Sequence, residues 1–226
     1  YATRCSPLPD GGLIMATMQE VEETYKKTGW GQPLAVPATV FTIFSFICFA
    51  QGTGLAAGDA TTNLSFGIVQ VILFIGFFFG AAILIKRNMY IPGQTMMIFA
   101  IAFGGVGGAS NIMTYLAAQG MITFDGYVFG IVNMVIGILL IIELPAYVHG
   151  TLVDWATSFF PAIGLILYGI TGMGLCPADM VNSLIYAAGV FFGLCGIGGM
   201  FTMASAVLEG ICNVPMGPVL FPKKNK

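Results

Sequence analysis

The sequence predicts an all-α integral membrane protein, in which six transmembrane helices form a bundle packed through small residues. Hydrophobic residues make up 57% of the 226-residue chain and charged residues only 8%, whereas about 25% of the residues of a typical soluble domain are charged. Apolar runs of about 20 residues, the length at which a helix crosses a bilayer, recur along the chain. These runs are too continuously apolar to be the alternating strands of a β-barrel.

The apolar runs predict spans at residues 36–55, 64–85, 95–116, 127–148, 156–171 and 181–208. The fifth span is the shortest, contains Pro161 and ends among Gly169, Gly172 and Gly174. Two interpretations of it are open. It is either a kinked helix that closes into a loop or a broken helix whose freed backbone lines a polar path, since irregular backbone at membrane depth occurs only beside protein or water.

All Lys and Arg residues fall where six spans would place them on one side of a membrane. The eight residues are Arg4, Lys26, Lys27, Lys86, Arg87, Lys223, Lys224 and Lys226. Because Lys and Arg are retained on the cytoplasmic side, we expect both termini to lie on the cytoplasmic side of the cell membrane. The predicted organisation is an N-terminal arm with a short charged surface helix (1–31), a six-helix domain (32–212) and a basic C-terminal tail (213–226). The net charge of −2 and the lack of a basic patch in the sequence argue against a nucleic-acid partner.

Residues that carry chemistry are sparse in this sequence. It contains no P-loop, dinucleotide-binding fingerprint, catalytic triad or Cys-x-x-Cys pair, so we expect no enzyme activity, no cofactor and no metal. Transport is therefore the expected function. Glu143 is the one acidic residue well inside a span and is interpreted as a proton-binding or vestibule group. Asn111, Asn133 and Ser158 would offer hydrogen bonds in vestibules of a mostly apolar path, which suits a small solute that passes neutral or nearly so.

Glycine is abundant, with 31 residues. Many glycines recur at small-residue spacing inside the spans, as at Gly76 and Gly80 or in the stretch from Gly189 to Gly199. Small residues let helix backbones approach closely within a membrane. The pattern predicts close helix packing, with a widened pore or a subunit interface as the functional alternative.

Several stretches resemble the acetate uptake transporter family, the six-helix acetate and succinate permeases of microbes. The similar stretches are residues 147–152 (Tyr-Val-His-Gly-Thr-Leu), residues 193–196 (Gly-Leu-Cys-Gly) and the basic loop at Lys86 and Arg87. The family motif Asn-Pro-Ala-Pro-Leu-Gly-Leu before the first helix corresponds to the stretch that begins Gln32-Pro33, which keeps only the first proline in register. The resemblance covers about residues 31–221.

This resemblance implies a hexamer in which each subunit has its own pore. It also implies a constriction at Phe41, at Phe103 (allowing one inserted residue) and in the region of Pro161. The leading hypothesis is therefore a transporter or channel for acetate or a similar short monocarboxylate, with an apolar gate at these residues and coupling to protons, as in a symporter. One alternative is a channel for a small neutral solute such as urea, an amide or ammonia. Another is a non-transporting subunit of a membrane complex.

Overall fold

Six long helices make up most of the part of the chain that the structure describes. The computed structural model describes residues 33–148, 150–208, 214 and 216–219. The helices are α1 (Ala35–Gly52), α2 (Ala60–Lys86), α3 (Tyr90–Ala118), α4 (Tyr127–Glu143), α5 (Leu152–Gly172) and α6 (Val181–Val207). A 3₁₀ turn, Leu144–Tyr147, continues α4. Each span is long and apolar enough to cross a membrane, so the predicted class and helix count are confirmed.

The helices form a closed ring in which neighbours in sequence are neighbours in space. Each helix packs against the next, and α6 closes the ring on α1. The backbones of α3 and α4 approach each other most closely along a short segment of α3, Ala100–Gly107. Short connections favour this order, because antiparallel neighbours need only a few linking residues. We call the end that carries Lys86 and Arg87 the inner end and the opposite end the outer end.

Large apolar side chains cover the outside of the ring. Ile72, Phe79, Val128 and Ile142 are 63% to 67% exposed. Contiguous apolar surface of this kind is costly in water and neutral in hydrocarbon. The apolar outside of the helix ring therefore agrees with an integral, multi-pass membrane protein.

Glycine allows the tightest helix crossings. A Cβ added at Gly52 of α1 would lie 2.7 Å from the Cα of Gly189 of α6, and one added at Gly172 of α5 would lie 3.0 Å from the Cα of Gly130 of α4. These neighbours are backbone atoms, which cannot rotate away as a side chain can. The predicted packing through small residues is confirmed at these crossings.

The three helices that run toward the outer end stop in the same way. Gly54, Gly120 and Gly174 each follow a helix C-cap with φ of 73°, 70° and 65°. Glycine enters this left-handed region without the steric penalty of a side chain. On the other side of the first loop, Asp59 begins α2 by accepting a hydrogen bond from the Thr62 backbone N–H at 2.7 Å. This hydrogen bond lowers the pKa of the Asp59 carboxyl.

Irregular backbone occurs in α3 rather than in α5. The helix α5 continues through Pro161 from a capping box formed by Thr151 and Asp154, so the broken-helix interpretation is wrong. In α3, the segment Ala100–Gly107 is π-helical. A Cβ at Gly104 would lie 2.7 Å from the Cβ of Phe74 on α2, so this segment is pressed against its neighbour.

Parts of the predicted organisation lie outside the described residues. They include the charged helix of the N-terminal arm, Gln32, and most of the basic tail. Pro33 belongs to the turn that leads into α1. Among the described residues, the one isolated antiparallel bridge joins Val219 to Thr151.

Candidate functional site

Four phenylalanine rings meet in the middle of the helix ring and form what we call the aromatic plug: Phe41, Phe99, Phe103 and Phe192. The centroid of Phe99 lies 4.5 Å from that of Phe41 and 5.7 Å from that of Phe103. Phe192 meets Phe103 edge-on at 5.4 Å. All four side chains are at most 2% exposed. The plug therefore fills the centre of the bundle with aromatic carbon.

Two glycines give the plug its shape. A Cβ at Gly164 of α5 would lie 2.8 Å from the ring of Phe192, and a Cβ at Gly199 of α6 would lie 3.1 Å from the ring of Phe41. The rings thus lie against bare backbone on these faces. Rings from α1, α3 and α6 can interlock at the centre because Gly164 and Gly199 present no side chain at these two contacts.

A cavity of ≈ 300 Å³ lies between the plug and the outer end. All six helices contribute to its wall, and Phe103 forms part of its floor. Its polar lining residues include Gln51, Gln70, Ser110, Asn111, Asn133 and Tyr168. None of the residues that line this outer cavity is charged, so among the described residues it offers an ionised solute no counter-charge.

Three carboxamides form a ladder along the wall of the outer cavity. Gln51 Nε2 donates to Asn111 Oδ1 at 2.8 Å, and Asn111 Nδ2 donates to Gln70 Oε1 at 2.7 Å. Gln70 is buried within α2, and the ladder satisfies its carbonyl oxygen. Tyr168 places a hydroxyl at the same level, where it donates to the Cys48 carbonyl at 3.3 Å.

A smaller cavity of ≈ 50 Å³ lies on the inner side of the plug. Phe99 borders it from above, and Leu34, Pro92 and Met96 add apolar carbon to its wall. The polar lining residues are Thr95, Tyr147, Asp154, Thr157, Ser158 and Thr202. A cavity with polar groups in its wall therefore lies on each side of the aromatic plug.

Beside the inner cavity, a hydrogen-bonded cluster joins α3 to α4. Thr95 Oγ1 lies 2.9 Å from Glu143 Oε2 and 2.6 Å from Tyr147 Oη. Glu143 ends α4, and Tyr147 ends the 3₁₀ turn that follows it. Their side chains are held together by the turn at Pro145, which starts where α4 stops. The cluster is the polar bridge between the two helices at the inner end.

The structure brings most of the sequence-predicted site residues to one axis. Phe41 and Phe103 are both in the aromatic plug. Asn111 and Asn133 line the outer cavity, and Ser158 lines the inner one. The gate and the vestibules themselves stay a prediction.

Pro161 occupies a different position. It is fully buried and lines neither cavity. One turn later on α5, Leu165 lines the outer cavity. The large apolar side chain with which α5 lines a cavity is therefore Leu165.

The sequence reasoning missed half of the plug and the partners of Glu143. Phe99 precedes Phe103 by one helical turn, which was a readable signal that both face one side of α3. Phe192, Thr95 and Tyr147 had no such signal, because their roles depend on contacts between residues far apart in sequence. Among the described residues, no group of three or more His, Cys, Asp or Glu could hold a metal ion.

The fold is similar to that of a solved structure described as the bacterial acetate channel SatP, with a TM-score of 0.67. The two chains are 14% identical, and the match covers 84% of this chain and 98% of that one. No protein-family model and no curated protein matches the sequence. The similarity confirms, at the level of the fold, the distant resemblance to acetate uptake transporters.

Proposed function

We propose that this protein is a membrane channel or transporter for acetate or a similar short monocarboxylate. The observation that carries the proposal is the aromatic plug between two polar cavities, on the axis of a fold similar to that of an acetate channel. The solute would enter the outer cavity, cross the plug when its rings rotate apart, and leave through the inner cavity. The inner cavity has room for only a few water molecules, which favours a solute of a few heavy atoms.

The solute would cross the plug in its uncharged form. An ionised carboxylate would lose its hydration against the four rings at a cost of several kcal/mol, with no cation in the outer cavity to offset it. A neutral carboxylic acid avoids this cost, and it pairs well with a carboxamide, which offers one donor and one acceptor side by side. Asn133 and Gln70 present carboxamides in the outer cavity. Each carboxylate would then take one proton with it, which is the proposed coupling.

The proposed arrangement in the cell follows from charge and resemblance. Lys86 and Arg87 would lie in the cytoplasm with both termini, and the subunits would assemble as a hexamer within the lipid bilayer. Each subunit would conduct alone, since the plug and both cavities lie inside one chain.

A channel for urea or a short amide is the second candidate, because the carboxamide ladder has no charge and suits an amide as well as an acid. The third candidate, a non-transporting subunit of a complex, gives no role to the two cavities. Dependence of flux on pH separates the first two candidates, since acid raises the neutral fraction of acetate and leaves urea unchanged.

The test is uptake of radiolabelled acetate and radiolabelled urea by proteoliposomes at acid and neutral outside pH. We expect acetate influx above that of empty liposomes, faster at acid pH, and little urea influx. Phe41→Trp should abolish the acetate influx, because Phe99 and the Gly199 backbone leave no room for an indole. Phe79→Trp is the matched control, since Phe79 is 63% exposed on the outside.

The other outcomes contradict the proposal. Urea influx without acetate influx would assign the channel to neutral solutes. If the protein elutes as a folded oligomer and neither solute enters the proteoliposomes, the hypothesis of a non-transporting subunit replaces both channel hypotheses.

A further inference from the structure

We propose that Gln70 is a binding site for a carbonyl oxygen of the solute, and that the carboxamide ladder holds Gln70 so that its Nε2 donates to that oxygen. The site takes small acids, carboxylates and amides, which all carry such an oxygen. It rejects ammonium and amidinium ions, which carry hydrogen-bond donors only. The role of the site in selecting a transported solute rests on the proposed function, but binding to it does not require transport.

The ladder leaves one hydrogen-bonding group of Gln70 without a partner. Gln70 is 1% exposed and lies about 15 Å along the axis from the start of α2. Its Oε1 accepts from Asn111 Nδ2 at 2.7 Å, whereas its Nε2 donates to none of the described residues. No side-chain nitrogen or oxygen of these residues is both enclosed and unpartnered. Gln70 Nε2 therefore opens onto the outer cavity, which Gln70 lines.

A solute that enters the outer cavity must replace the water that hydrates Gln70 Nε2. A polar cavity of ≈ 300 Å³ has room for several water molecules. A solute that cannot accept from the N–H groups loses the hydrogen bonds of the displaced water and binds weakly. A carbonyl or carboxylate oxygen restores them with its lone pairs. The position of this donor thus favours solutes with an oxygen acceptor.

The ladder determines which end of the Gln70 amide faces the cavity. Gln51 Nε2 donates to Asn111 Oδ1 at 2.8 Å, so Asn111 turns its Nδ2 toward Gln70. Gln70 must then turn its Oε1 toward Asn111, which leaves its Nε2 for the cavity. A carboxylate at position 111 has no hydrogen to donate, so Gln70 would reverse and present Oε1 to the cavity. Gln51 and Asn111 are therefore positioning residues.

The space in front of Gln70 Nε2 exists because residue 107 is glycine. Gly107 lines the outer cavity, about one helical turn after Phe103 of the aromatic plug. A Cβ at Gly107 would lie 3.0 Å from Gln70 Nε2, which is the distance at which an oxygen accepts from an N–H group. A solute oxygen can occupy this space only while no side chain does. The site therefore lies about one turn of α3 away from the plug.

Binding can be measured by thermal unfolding of the purified protein in detergent, because a ligand of the folded state raises the unfolding temperature. The probes are acetamide, acetate at mildly acid pH and acetamidinium chloride, which share one shape, with sodium chloride as the salt control. We expect acetamide and acetate to raise the unfolding temperature and acetamidinium to leave it unchanged. No shift with acetamide, or an equal shift with acetamidinium, would overturn the site.

Gly107→Ala fills the space beside Gln70 Nε2 and changes no residue of the ladder. We expect it to abolish the shift that acetamide causes. Gly105→Ala is the matched control on the same π-helical segment, since the nearest atom to a Cβ at Gly105 is 3.9 Å away. It should keep the shift. Both variants replace glycine by a better helix former, so equal behaviour of the two would contradict the site.

The ladder is tested by reversing Gln70. Asn111→Asp should lose the shift with acetamide and gain one with acetamidinium, because Gln70 then presents an acceptor. Ser110→Asp is the control for added charge, since Ser110 lines the same cavity outside the ladder, and it should keep the shift with acetamide. If Asn111→Asp keeps that shift as well, the ladder does not position Gln70.

Acetate uptake by proteoliposomes separates failure of the site from failure of the proposed function. Gln70→Met removes the donor at similar size and should raise the KM for acetate about fivefold, the effect of one neutral hydrogen bond, with kcat nearly unchanged. If acetate is carried and neither Gln70→Met nor Gly107→Ala changes its KM, the site is wrong and the proposed function stands. If acetamide binds as expected and no form of the protein carries acetate, the proposed function fails and the site stands.

Discussion

Phe103 is the ring of the aromatic plug that contacts all three of the others. It contacts three other rings of the plug, at 6.2 Å to Phe41, 5.7 Å to Phe99 and 5.4 Å to Phe192. Its ring also forms part of the floor of the outer cavity. On its other side Phe103 stacks on Phe99, which borders the inner cavity.

We predict that Phe103→Ala raises acetate influx and lowers stability. The substitution removes the central ring of the plug, and the loss of a buried phenylalanine typically costs about 3–5 kcal/mol. Influx into proteoliposomes and thermal unfolding in detergent measure the two effects. Phe79→Ala, on the outside of α2, should change neither influx nor stability by a comparable amount. Lower stability with unchanged influx would contradict the assignment of the plug as the gate.

At this scale, only part of the site could be predicted from the sequence. Phe41 and Phe103 followed from the family resemblance, and Glu143 from being an isolated acid inside a span. Nothing in the sequence predicted that the ring of Phe192 on α6 would contact the ring of Phe103 on α3. Their contact depends on how two helices distant in sequence turn toward one axis.

At the scale of single helices, the crossing of α1 and α6 is a sharp test of packing through small residues. We predict that Gly52→Ala lowers the unfolding temperature of the detergent-solubilised protein, because the new methyl would meet the Gly189 backbone at 2.7 Å. The two helices would have to move apart.

Gly76→Ala on α2 is the matched control. No atom lies within 4 Å of a Cβ at this position, and alanine is about 1 kcal/mol more favourable than glycine in a helix. Its unfolding temperature should stay the same or rise. Equal losses for the two variants would show that backbone contact at Gly52 is not what limits stability.

The helix breakers of the sequence did not locate the irregular backbone. Pro161 and the glycines after it left a broken α5 open as an interpretation, yet α5 is continuous. The π-helical segment is in α3, where glycines at Gly104 and Gly108 let α2 approach to within 2.7 to 3.2 Å of where side chains would be. Proline restricts its own backbone. The π-helical segment lies instead where α2 packs closely against the glycines of α3.

For the whole molecule, the arrangement of charge predicts the orientation in the membrane. We predict that a membrane-impermeant thiol reagent labels Asp179→Cys in intact cells and labels Tyr90→Cys only after permeabilisation, each in a background with every native cysteine replaced by serine. Both positions are exposed, Asp179 in an outer loop and Tyr90 at the inner end. The reverse pattern would contradict cytoplasmic termini.

Sequence composition and the spacing of apolar runs determined that this chain crosses a membrane six times. That information is local, because the cost of exposing backbone and charge to hydrocarbon applies to each segment separately. Only the tertiary structure decided what lies at the centre of the ring. The plug, the carboxamide ladder and the cluster around Glu143 each join residues of different helices that lie 40 or more positions apart in sequence. Their contacts arise when the glycine crossings set how closely, and at what rotation, the helices pack.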